Sequence, residues 1–392
     1  MDARALRRKL DQFVDSQKTA MFAMLERLVD QDSGSYDTGD VNRLGDYLAD
    51  QLESMGCAAT KHCREGAGYP LTVLAPGTDP AARRVLLIGH RDTVFPAGTA
   101  AARPFRIDGD VCRGPGVADM KGGIACGLFA IKAILALREE IGTIPLEIAI
   151  SSDEEIGSGV SAPILAEKSK HAKAVFSLEP ARPGRAVVTS RDGGALFDIE
   201  VFGKAAHAGN NFPDGVSAVN ALAAITLELA ALSDDPAGMN VNVGVVEGGS
   251  GAIIVPEHAR AKVYTRFSTL GQQADLIGRV REIVQKANAG GIRAIMTDPA
   301  GFLPFRKSGD NAKLFSLVRE AGEALGLEVQ GIDIRGPADS GITASAGVPT
   351  ICGMGPIGAN LHTDEEYMVA SSLPEHIKLL ALSAIMASER FE

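Results

Sequence analysis

Hydrophobic residues follow two spacings along the first half of the chain, one typical of amphipathic helices and one typical of buried strands. Three- and four-residue steps predict helices, and nearly uninterrupted apolar runs predict strands covered on both faces. The predicted helices are residues 5–30, 42–55 and 122–137, and the predicted strands are residues 71–75, 84–89, 146–150, 174–178 and 186–189. Because buried strands alternate with helices, the sequence predicts an α/β fold with a mixed, mainly parallel sheet flanked by helices.

The pattern changes between residues 193 and 300. Its order there is strand, helix, strand, strand, helix, strand, which is the ferredoxin-like arrangement of a two-layer α+β domain. The predicted elements are residues 195–201, 216–232, 240–246, 259–267, 274–289 and 292–296. Helices at 311–325 and 373–391 then restore the α/β pattern. The sequence therefore predicts a discontinuous domain at 1–192 and 301–392, interrupted by an inserted domain at 193–300.

Composition narrows the class of protein. Of the 392 residues, 45% are hydrophobic and 22% are charged, which is typical of a globular protein. The formal net charge of -10 argues against nucleic acid and anionic membranes as partners, since both bind basic surfaces. No segment reaches transmembrane length, and residues 1–18 lack the apolar run of an export signal. The five cysteines form no Cys-x-x-Cys pair, so we expect reduced thiols and a cytoplasmic protein.

Three consecutive carboxylates, Asp153, Glu154 and Glu155, follow the end of a predicted strand after two serines. Their mutual repulsion requires a positive counter-charge, and a metal ion is the simplest one. Our hypothesis is that Glu155 holds a metal ion while Glu154 remains available to transfer protons. Asp153 receives no catalytic role.

His90 and Asp92 follow another predicted strand, at a place where an open sheet forms a crevice. A two-residue spacing places both side chains on one side of an extended chain, which suits a metal ligand and the carboxylate that orients it. Taken alone, the pair has an alternative interpretation as a hydrogen-bonded histidine at the end of a strand.

Further candidate ligands are Asp119 in a glycine-rich segment, Glu179 after a predicted strand, and His362 near the end of the chain. Asp119 alone could be only a helix cap. Acids and histidines that follow several buried strands converge at one edge of an open α/β sheet, whereas solvated surface charges have no reason to lie there. Together these residues favour a metal site.

As a spaced set, the motifs resemble the M20 family of metallopeptidases, and within it the glutamate carboxypeptidase (carboxypeptidase G2-like) branch. The motifs are His90-Arg-Asp92-Thr, the segment from Gly114 to Gly123, Asp153-Glu-Glu155, Glu179-Pro180, His207-Ala-Gly209 and His362. The family also inserts a β-α-β-β-α-β domain into its catalytic domain. The resemblance implies a zinc-peptidase-like catalytic, metal-binding domain at 1–192 and 301–392 and a dimerisation/lid domain at 193–300.

The resemblance implies two Zn²⁺ ions per subunit, bridged by Asp119 and a water molecule. One zinc ion would take His90 and Glu179, and the other would take Glu155 and His362. Mn²⁺ or Co²⁺ would suit the same nitrogen and oxygen ligands.

The resemblance also implies roles around the metal ions. Asp92 would orient His90, and Glu154 would be the general base that takes a proton from the water and passes it to the leaving amine. His207 would reach into the active site of the other subunit and stabilise the oxyanion, which implies a homodimer. The alternative for His207 is a surface turn, helped by Gly209.

Two further residues are implied to bind substrate. Arg266 matches a family position that binds the free carboxylate of the substrate through two hydrogen bonds, and an exposed strand arginine is the alternative. Asp339 is retained in Asp339-Ser340-Gly341, where the family more often has Thr-Asp-Ala. Ile253 stands where the family commonly has an asparagine that contacts the substrate. These departures leave the identity of the recognised acid open.

We expect a di-zinc metallohydrolase that cleaves an amide or peptide bond adjacent to a C-terminal free carboxylate, as a glutamate carboxypeptidase does. Its substrate would be a small or dipeptide-like molecule. Glu179, where related aminopeptidases usually have Asp, favours carboxypeptidase or deacylase chemistry. The alternative is an N-acyl-amino-acid deacylase or amino-acid conjugate amidohydrolase. An alternative of a different class is a non-catalytic protein that binds carboxylates. The presence of all five predicted metal ligands and of Glu154, the predicted base, argues against this alternative.

Overall fold

The computed structural model describes residues 3–392, with side chains from residue 6 onward, so Met1 and Asp2 of the predicted discontinuous domain lie outside the described residues. The chain divides into two units, which are described separately. The major unit runs to residue 190 and resumes at 307–334 and 338–392, and the inserted unit comprises residues 191–306 and 335–337. The predicted catalytic and dimerisation/lid roles of the two stretches stay predictions.

Helices and strands alternate along the first part of the major unit. The helices are α1 (Ala3–Val29), α2 (Thr38–Glu53), α3 (Thr99–Ala102), α4 (Gly122–Ala136), α5 (Arg138–Ile141) and α6 (Ala162–Ser169). The strands are β1 (Ala58–Lys61), β2 (Leu71–Leu74), β3 (Arg84–His90), β4 (Arg106–Asp108), β5 (Val111–Arg113), β6 (Leu146–Ser151), β7 (Ala172–Ser177), β8 (Pro180–Ala181) and β9 (Ala186–Arg191).

The inserted unit and the returning chain continue the series. The elements of the inserted unit are β10 (Gly193–Phe202), β11 (Ala206–His207), α7 (Ala218–Ala230), β12 (Asn240–Gly248), β13 (Ile254–Val255), β14 (His258–Phe267), α8 (Leu270–Lys286), β15 (Arg293–Met296) and β16 (Ala300–Phe302). The returning chain forms α9 (Gly309–Leu325), β17 (Gln330–Ile334), α10 (Ser340–Ser345), β18 (Thr350–Ile351), β19 (Gly355–Ala359), β20 (Tyr367–Val369) and α11 (Ser372–Arg390).

A six-stranded sheet with the order β1-β2-β6-β3-β7-β18 lies at the centre of the major unit. The pairs from β6 to β18 are parallel, and β1 and β2 join antiparallel. Successive residues of β3 enter different cores: Leu87 packs in the cluster that contains α4 and α11, and Leu86 packs with Leu165 and Ile342. Both faces are therefore covered, and the predicted mixed, mainly parallel α/β fold is confirmed.

The parallel strands bring their carboxyl ends to one edge of this sheet. β3 ends at His90, β6 ends just before the acidic turn Glu154–Ile156, and β7 ends two residues before Glu179. Asp119 lies in an irregular turn, Val117–Lys121, immediately before α4. The edge therefore collects residues that are far apart in the sequence.

A second sheet of the major unit, with the order β4-β5-β20-β19-β8, was not predicted. Its strands are two to five residues long, which is too short to show a hydrophobic period. His362 lies in the connection between β19 and β20. The segment that carries this histidine is therefore held by the antiparallel pairing of its flanking strands.

The inserted unit has a two-layer architecture. Its main sheet has the antiparallel order β12-β14-β10-β15, and Leu222 of α7 and Val280 of α8 pack in one core with Ile199 of the sheet. The chain order β10-α7-β12-β14-α8-β15 is the ferredoxin-like arrangement. α8 begins earlier than predicted because Thr269 and Gln272 form a capping box at its N-terminus.

Within the described residues, no helix is both long and apolar enough to cross a bilayer.

Candidate metal centre

Asp119 lies between two histidines of the major unit. Its Oδ1 is 3.1 Å from Nε2 of His90, and its Oδ2 is 3.2 Å from Nε2 of His362. Each carboxylate oxygen therefore faces a different imidazole. A carboxylate in this position can contribute one oxygen to each of two ions.

Two glutamates extend the arrangement on either side of Asp119. Oε1 of Glu179 lies 3.7 Å from Nε2 of His90, and Oε2 of Glu155 lies 3.0 Å from Nε2 of His362. Ligand atoms of His90, Asp119 and Glu155 all lie within 4.8 Å of one another. The structure thus brings all five predicted ligands together as two His–Glu pairs that share one aspartate.

Glu155 provides the observation that favours a cation. Its Oε1 is buried and has no hydrogen-bond partner among the described residues, and burial raises the pKa of this carboxyl to about 7. A buried carboxylate oxygen without a donor is destabilising by about 1–3 kcal/mol or more, unless a cation is bound to it. Imidazole nitrogens mixed with carboxylate oxygens suit Zn²⁺, Mn²⁺ or Co²⁺. The side chains therefore fit the predicted pair of metal ions.

The carboxylates of the centre change the protonation of both histidines. Hydrogen bonds with Asp119 and Glu155 raise the pKa of His362 to about 10. Burial alone would lower the pKa of His90, but its contacts with Asp119 and Asp92 raise that pKa well above the ordinary value. Because an imidazole must be neutral to bind a metal ion, cations would replace these protons on binding.

Asp92 connects the end of β3 to the acidic turn. Its carboxylate accepts the N–H groups of Glu154 and Glu155, at 3.1 Å each, and the hydroxyl of Ser35 at 2.7 Å. Nδ1 of His90 lies 3.0 Å from the backbone carbonyl oxygen of Asp92 and 3.5 Å from its Oδ1. Asp92 can therefore orient His90 mainly through its carbonyl group, while its carboxylate fixes the position of the acidic turn.

The acidic turn itself is a single 3₁₀ turn, Glu154–Ile156. It ends at Gly157, whose φ of 98° lies in the left-handed region that favours glycine. Glu154 is buried, and this burial raises its pKa well above the ordinary value for a carboxyl. The carboxylate of Asp153 instead accepts N–H bonds from Val160 and Ser161, so its contacts stabilise the following turn.

Asp339 is buried beside the same turn. The hydroxyls of Ser151 and Ser158 donate to its two carboxylate oxygens, the first at 2.6 Å. These serines flank the acidic turn on either side, so Asp339 holds the two ends of the turn together. Its predicted contact with substrate stays a prediction.

Glu366 is a candidate that the sequence analysis missed. Its buried carboxylate accepts the N–H groups of Gly116 at 3.0 Å, Ala118 at 2.8 Å and Asp119 at 2.9 Å. Burial raises the pKa of Glu366 to about 7, and these three N–H groups oppose that change. Since Glu366 follows His362 by four residues, it ties the segment of one ligand to the turn of another. The acidic run after His362, similar to the run after β6, is the signal in the sequence.

His207 belongs to the inserted unit, where it is exposed on β11. Its Nδ1 accepts the backbone N–H groups of Gly209 and Asn210, both at 3.1 Å. In a neutral imidazole only one nitrogen carries a proton, so these two bonds place the proton on Nε2. His207 therefore presents a fixed hydrogen-bond donor at the surface of its unit.

Arg266 of the inserted unit is buried, so the alternative of an exposed strand arginine is wrong. Its guanidinium donates to Asp192 at 2.8 Å, Asp235 at 2.6 Å and Asn240 at 3.0 Å. A substrate carboxylate would have to exchange with one of these partners. Binding of substrate by Arg266 stays a prediction.

Comparison with known proteins identifies the class. A sequence model of peptidase family M20/M25/M40 matches residues 86–385, and the chain belongs to this family. It is an enzyme of the metallopeptidase and amidohydrolase kind, and the predicted resemblance to M20 metallopeptidases is confirmed.

Proteins similar to this chain include a carboxypeptidase and a desuccinylase. Carboxypeptidase G2 of Pseudomonas sp. (strain RS-16) is 27% identical over 382 residues, which cover 95% of this chain and 90% of that protein. Succinyl-diaminopimelate desuccinylase of Rhizorhabdus wittichii is 30% identical over 287 residues, which cover 69% of this chain and 74% of that protein.

Solved structures of the family have the same fold. The M20 family metallo-carboxypeptidase Sso-CP2 from Sulfolobus solfataricus has a TM-score of 0.76 at 19% identity, covering 94% of this chain and 99% of that chain. The YXEP protein of Bacillus subtilis, a dinuclear metal binding peptidase, has a TM-score of 0.68 at 14% identity, covering 96% and 99%.

Proposed function

We propose that the protein is a di-zinc metallohydrolase that cleaves an amide or peptide bond adjacent to a C-terminal free carboxylate, with glutamate carboxypeptidase activity as the first choice. The proposal rests on the position of the Asp119 carboxylate, which faces His90 on one side and His362 on the other. The similarity to carboxypeptidase G2 over 95% of this chain supports the choice of a carboxypeptidase.

Individual residues of the chain have separate roles in the proposed hydrolysis. When bound, the two metal ions supply an activated water molecule and polarise the scissile carbonyl group. Glu154 takes a proton from the attacking water and delivers it to the amine nitrogen as the C–N bond breaks. Asp92 holds the N–H groups of Glu154 and Glu155, so the base and the adjacent ligand keep a fixed position. The products are an acyl carboxylate and a free amino acid.

His207 would donate from Nε2 to the oxyanion in the active site of a partner subunit, so the active enzyme would be a homodimer. The edge strand β12 supports this part of the proposal, since Val245 and Val246 are exposed on it and Leu227 of α7 is 74% exposed. Exposed apolar groups beside an unpaired strand edge favour association with a second chain.

A cytoplasmic location is part of the same proposal. Among the described residues no cysteine forms a disulfide, and four of the five cysteines are buried. Thiols in the reduced state are typical of proteins in a reducing compartment. The net charge of -10 further supports small molecules, rather than nucleic acid or anionic membrane, as partners.

An N-acyl-amino-acid deacylase or amino-acid conjugate amidohydrolase is the second candidate. The similarity to a desuccinylase at 30% identity favours it. Both candidates use the same metal centre and the same base. They differ in the groups that the substrate carries on either side of the scissile bond.

A panel of substrates separates the two candidates. Zinc-loaded protein would be assayed by amino-acid release from N-aroyl-glutamates, dipeptides ending in glutamate, N-acetyl amino acids and N-succinyl amino acids. We expect the highest kcat/KM for the substrates that release glutamate, and turnover at least about 100-fold lower for Glu154→Gln in the same preparation. Turnover of N-acetyl amino acids alone would rule out the carboxypeptidase and leave the deacylase.

A further inference from the structure

The two largest fully buried side chains among the described residues are both cations, Arg91 and Lys121. Arg91 comes directly after the predicted ligand His90, and Lys121 comes two residues after the predicted ligand Asp119. Arginine and lysine are almost never fully buried unless they are paired with an acid. A buried cation beside a metal ligand is more unusual still, because a bound metal ion would repel it.

Arg91 is held by backbone carbonyl groups from three segments of the major unit. Its Nε donates to the carbonyl of Val41 at 2.9 Å, and its Nη1 donates to the carbonyl of Ile150 at 3.3 Å. Its Nη2 donates to the carbonyl of Tyr69, whose ring centroid lies 4.9 Å from Cζ. A Cβ at Gly45 of α2 would lie 2.9 Å from Nε of Arg91, so the glycine leaves room for the guanidinium.

Lys121 is also bound by a backbone carbonyl group. Its Nζ donates to the carbonyl of Gln31 at 2.7 Å. Within the described part of the chain, neither Lys121 nor Arg91 forms an ion pair with an acid. Arg84, another buried arginine, does so: its Nε donates to Glu147 at 2.6 Å. The positive charges of Arg91 and Lys121 therefore remain without a direct negative partner.

The acids around the metal centre carry more negative charge than two divalent ions can neutralise. Eight acids with buried side chains lie in the centre or next to it: Asp92, Asp119, Asp153, Glu154, Glu155, Glu179, Asp339 and Glu366. Two divalent ions carry four positive charges, and the two histidines bind them as neutral imidazoles. Arg91 interacts electrostatically with Asp92 and Asp153. Lys121 interacts in the same way with Glu366.

We propose that Arg91 and Lys121 are built-in counter-charges of the metal centre, which stabilise its carboxylates before metal ions bind and lower its affinity for those ions. This inference rests on the proposed metal centre, and it assigns a role to two residues that are not ligands. The protons on His90 and His362 leave when a metal ion binds, whereas the charges of Arg91 and Lys121 stay. Like charges inside a protein repel each other strongly, so these two cations oppose metal binding.

The test measures zinc affinity and stability in the same variants. Competition with a chromophoric chelator would give the zinc dissociation constants of the wild type, Arg91→Met, Arg91→Lys and Lys121→Met. Thermal unfolding of chelator-treated and zinc-loaded samples would give the stability of both forms. The matched control is Lys132→Met in α4, where Nζ binds Gln17. Lys132 lies about 16 Å from Lys121 along the helix axis.

Arg91→Met and Lys121→Met should each bind zinc at least about 5-fold more tightly than the wild type, because the repulsion of the metal ions is removed. Both variants should unfold at a lower temperature than the wild type without metal, and zinc should raise their unfolding temperatures by more. Arg91→Lys keeps the charge, so its zinc affinity should stay within about 3-fold of the wild type. Lys132→Met should bind zinc as the wild type does.

The direction of the change in zinc affinity decides the proposal. Weaker zinc binding by both methionine variants would show that the two residues position the ligands, and the counter-charge assignment would be overturned. Lower stability with unchanged zinc affinity would also overturn it, because the residues would then support only the fold. If Arg91→Met does not fold, Lys121→Met decides the proposal by the same measurement. If the wild type binds no zinc, the proposed function fails together with this inference.

Discussion

Replacing Glu366 with glutamine tests whether this carboxylate supports the turn that carries Asp119. Oε1 of Glu366 accepts the N–H groups of Ala118 and Asp119, and Oε2 accepts the N–H of Gly116. Glu366→Gln keeps one oxygen for two of these bonds. Its amide nitrogen then faces the third N–H, so two donors oppose each other.

The expected size of the effect follows from these three bonds. A hydrogen bond to a charged acceptor contributes about 1.5–3 kcal/mol, against about 0.5–1.5 kcal/mol for a neutral one, so each retained bond weakens by about 1 kcal/mol. The buried N–H of Gly116 would lose its partner at a further cost of about 1–3 kcal/mol. Part of this lost free energy should appear as a zinc affinity that is about 10–100-fold lower. A decrease of this size is typical when a group that positions a metal ligand is removed.

The assay is competition with a chromophoric chelator, which gives the zinc dissociation constants of wild type and variant. The matched control is Glu365→Gln: Glu365 is the adjacent acid, and its side chain is 77% exposed and pairs with Arg113. Activity of Glu366→Gln should recover at least in part at saturating zinc. If Glu366→Gln binds zinc as tightly as the wild type and loses only thermal stability, Glu366 supports the fold and not the metal centre.

Three further predictions concern the base, the core and the subunit contact. Glu154→Gln should lower kcat by about 10²–10⁴-fold while metal analysis finds an unchanged zinc content, and loss of zinc would show that Glu154 is a ligand. Burial lowers the pKa of His376 from 6.5 to about 4. Between these two pH values only the unfolded state binds a proton on this histidine. Lowering the pH from 6.5 to 4 should therefore reduce the free energy of unfolding by about 3 kcal/mol. In urea unfolding, His376→Gln should show a smaller difference than the wild type between the free energies of unfolding at pH 7 and pH 4.5. An unchanged difference would show that His376 does not cause the loss of stability in acid. Val246→Lys on β12 should give a monomer in analytical ultracentrifugation with much reduced kcat, whereas a fully active monomer would remove the proposed role of His207 across subunits.

The sequence predicts residues at the ends of buried strands well. His90 and Glu179 lie after nearly continuous apolar runs, and parallel strands must present their carboxyl ends at one edge. Hydrophobic periodicity alone therefore predicts that these two side chains lie close together. The assignment of Asp119 and His362 required the motif resemblance as well, because both lie in irregular segments.

Other parts of the centre depend on contacts that no local pattern records. Glu366 and Asp119 are 247 positions apart, and their hydrogen bond depends on how β20 pairs in a sheet of very short strands. The carboxylate of Asp92 accepts bonds from a turn more than 60 positions away. Likewise, the partners of Arg266 depend on folded geometry, so its burial could not be predicted from an alternating strand alone.

The central claim is that Asp119 is shared between two metal ions that the reaction requires. The most direct measurement is zinc titration of chelator-treated protein, with bound metal and glutamate release followed in the same samples. The account predicts that two zinc ions bind per chain and restore hydrolysis, and that Asp119→Asn loses both ions and the activity. Hydrolysis by protein that contains no metal, or an Asp119→Asn variant that still binds two zinc ions with wild-type affinity, would contradict it.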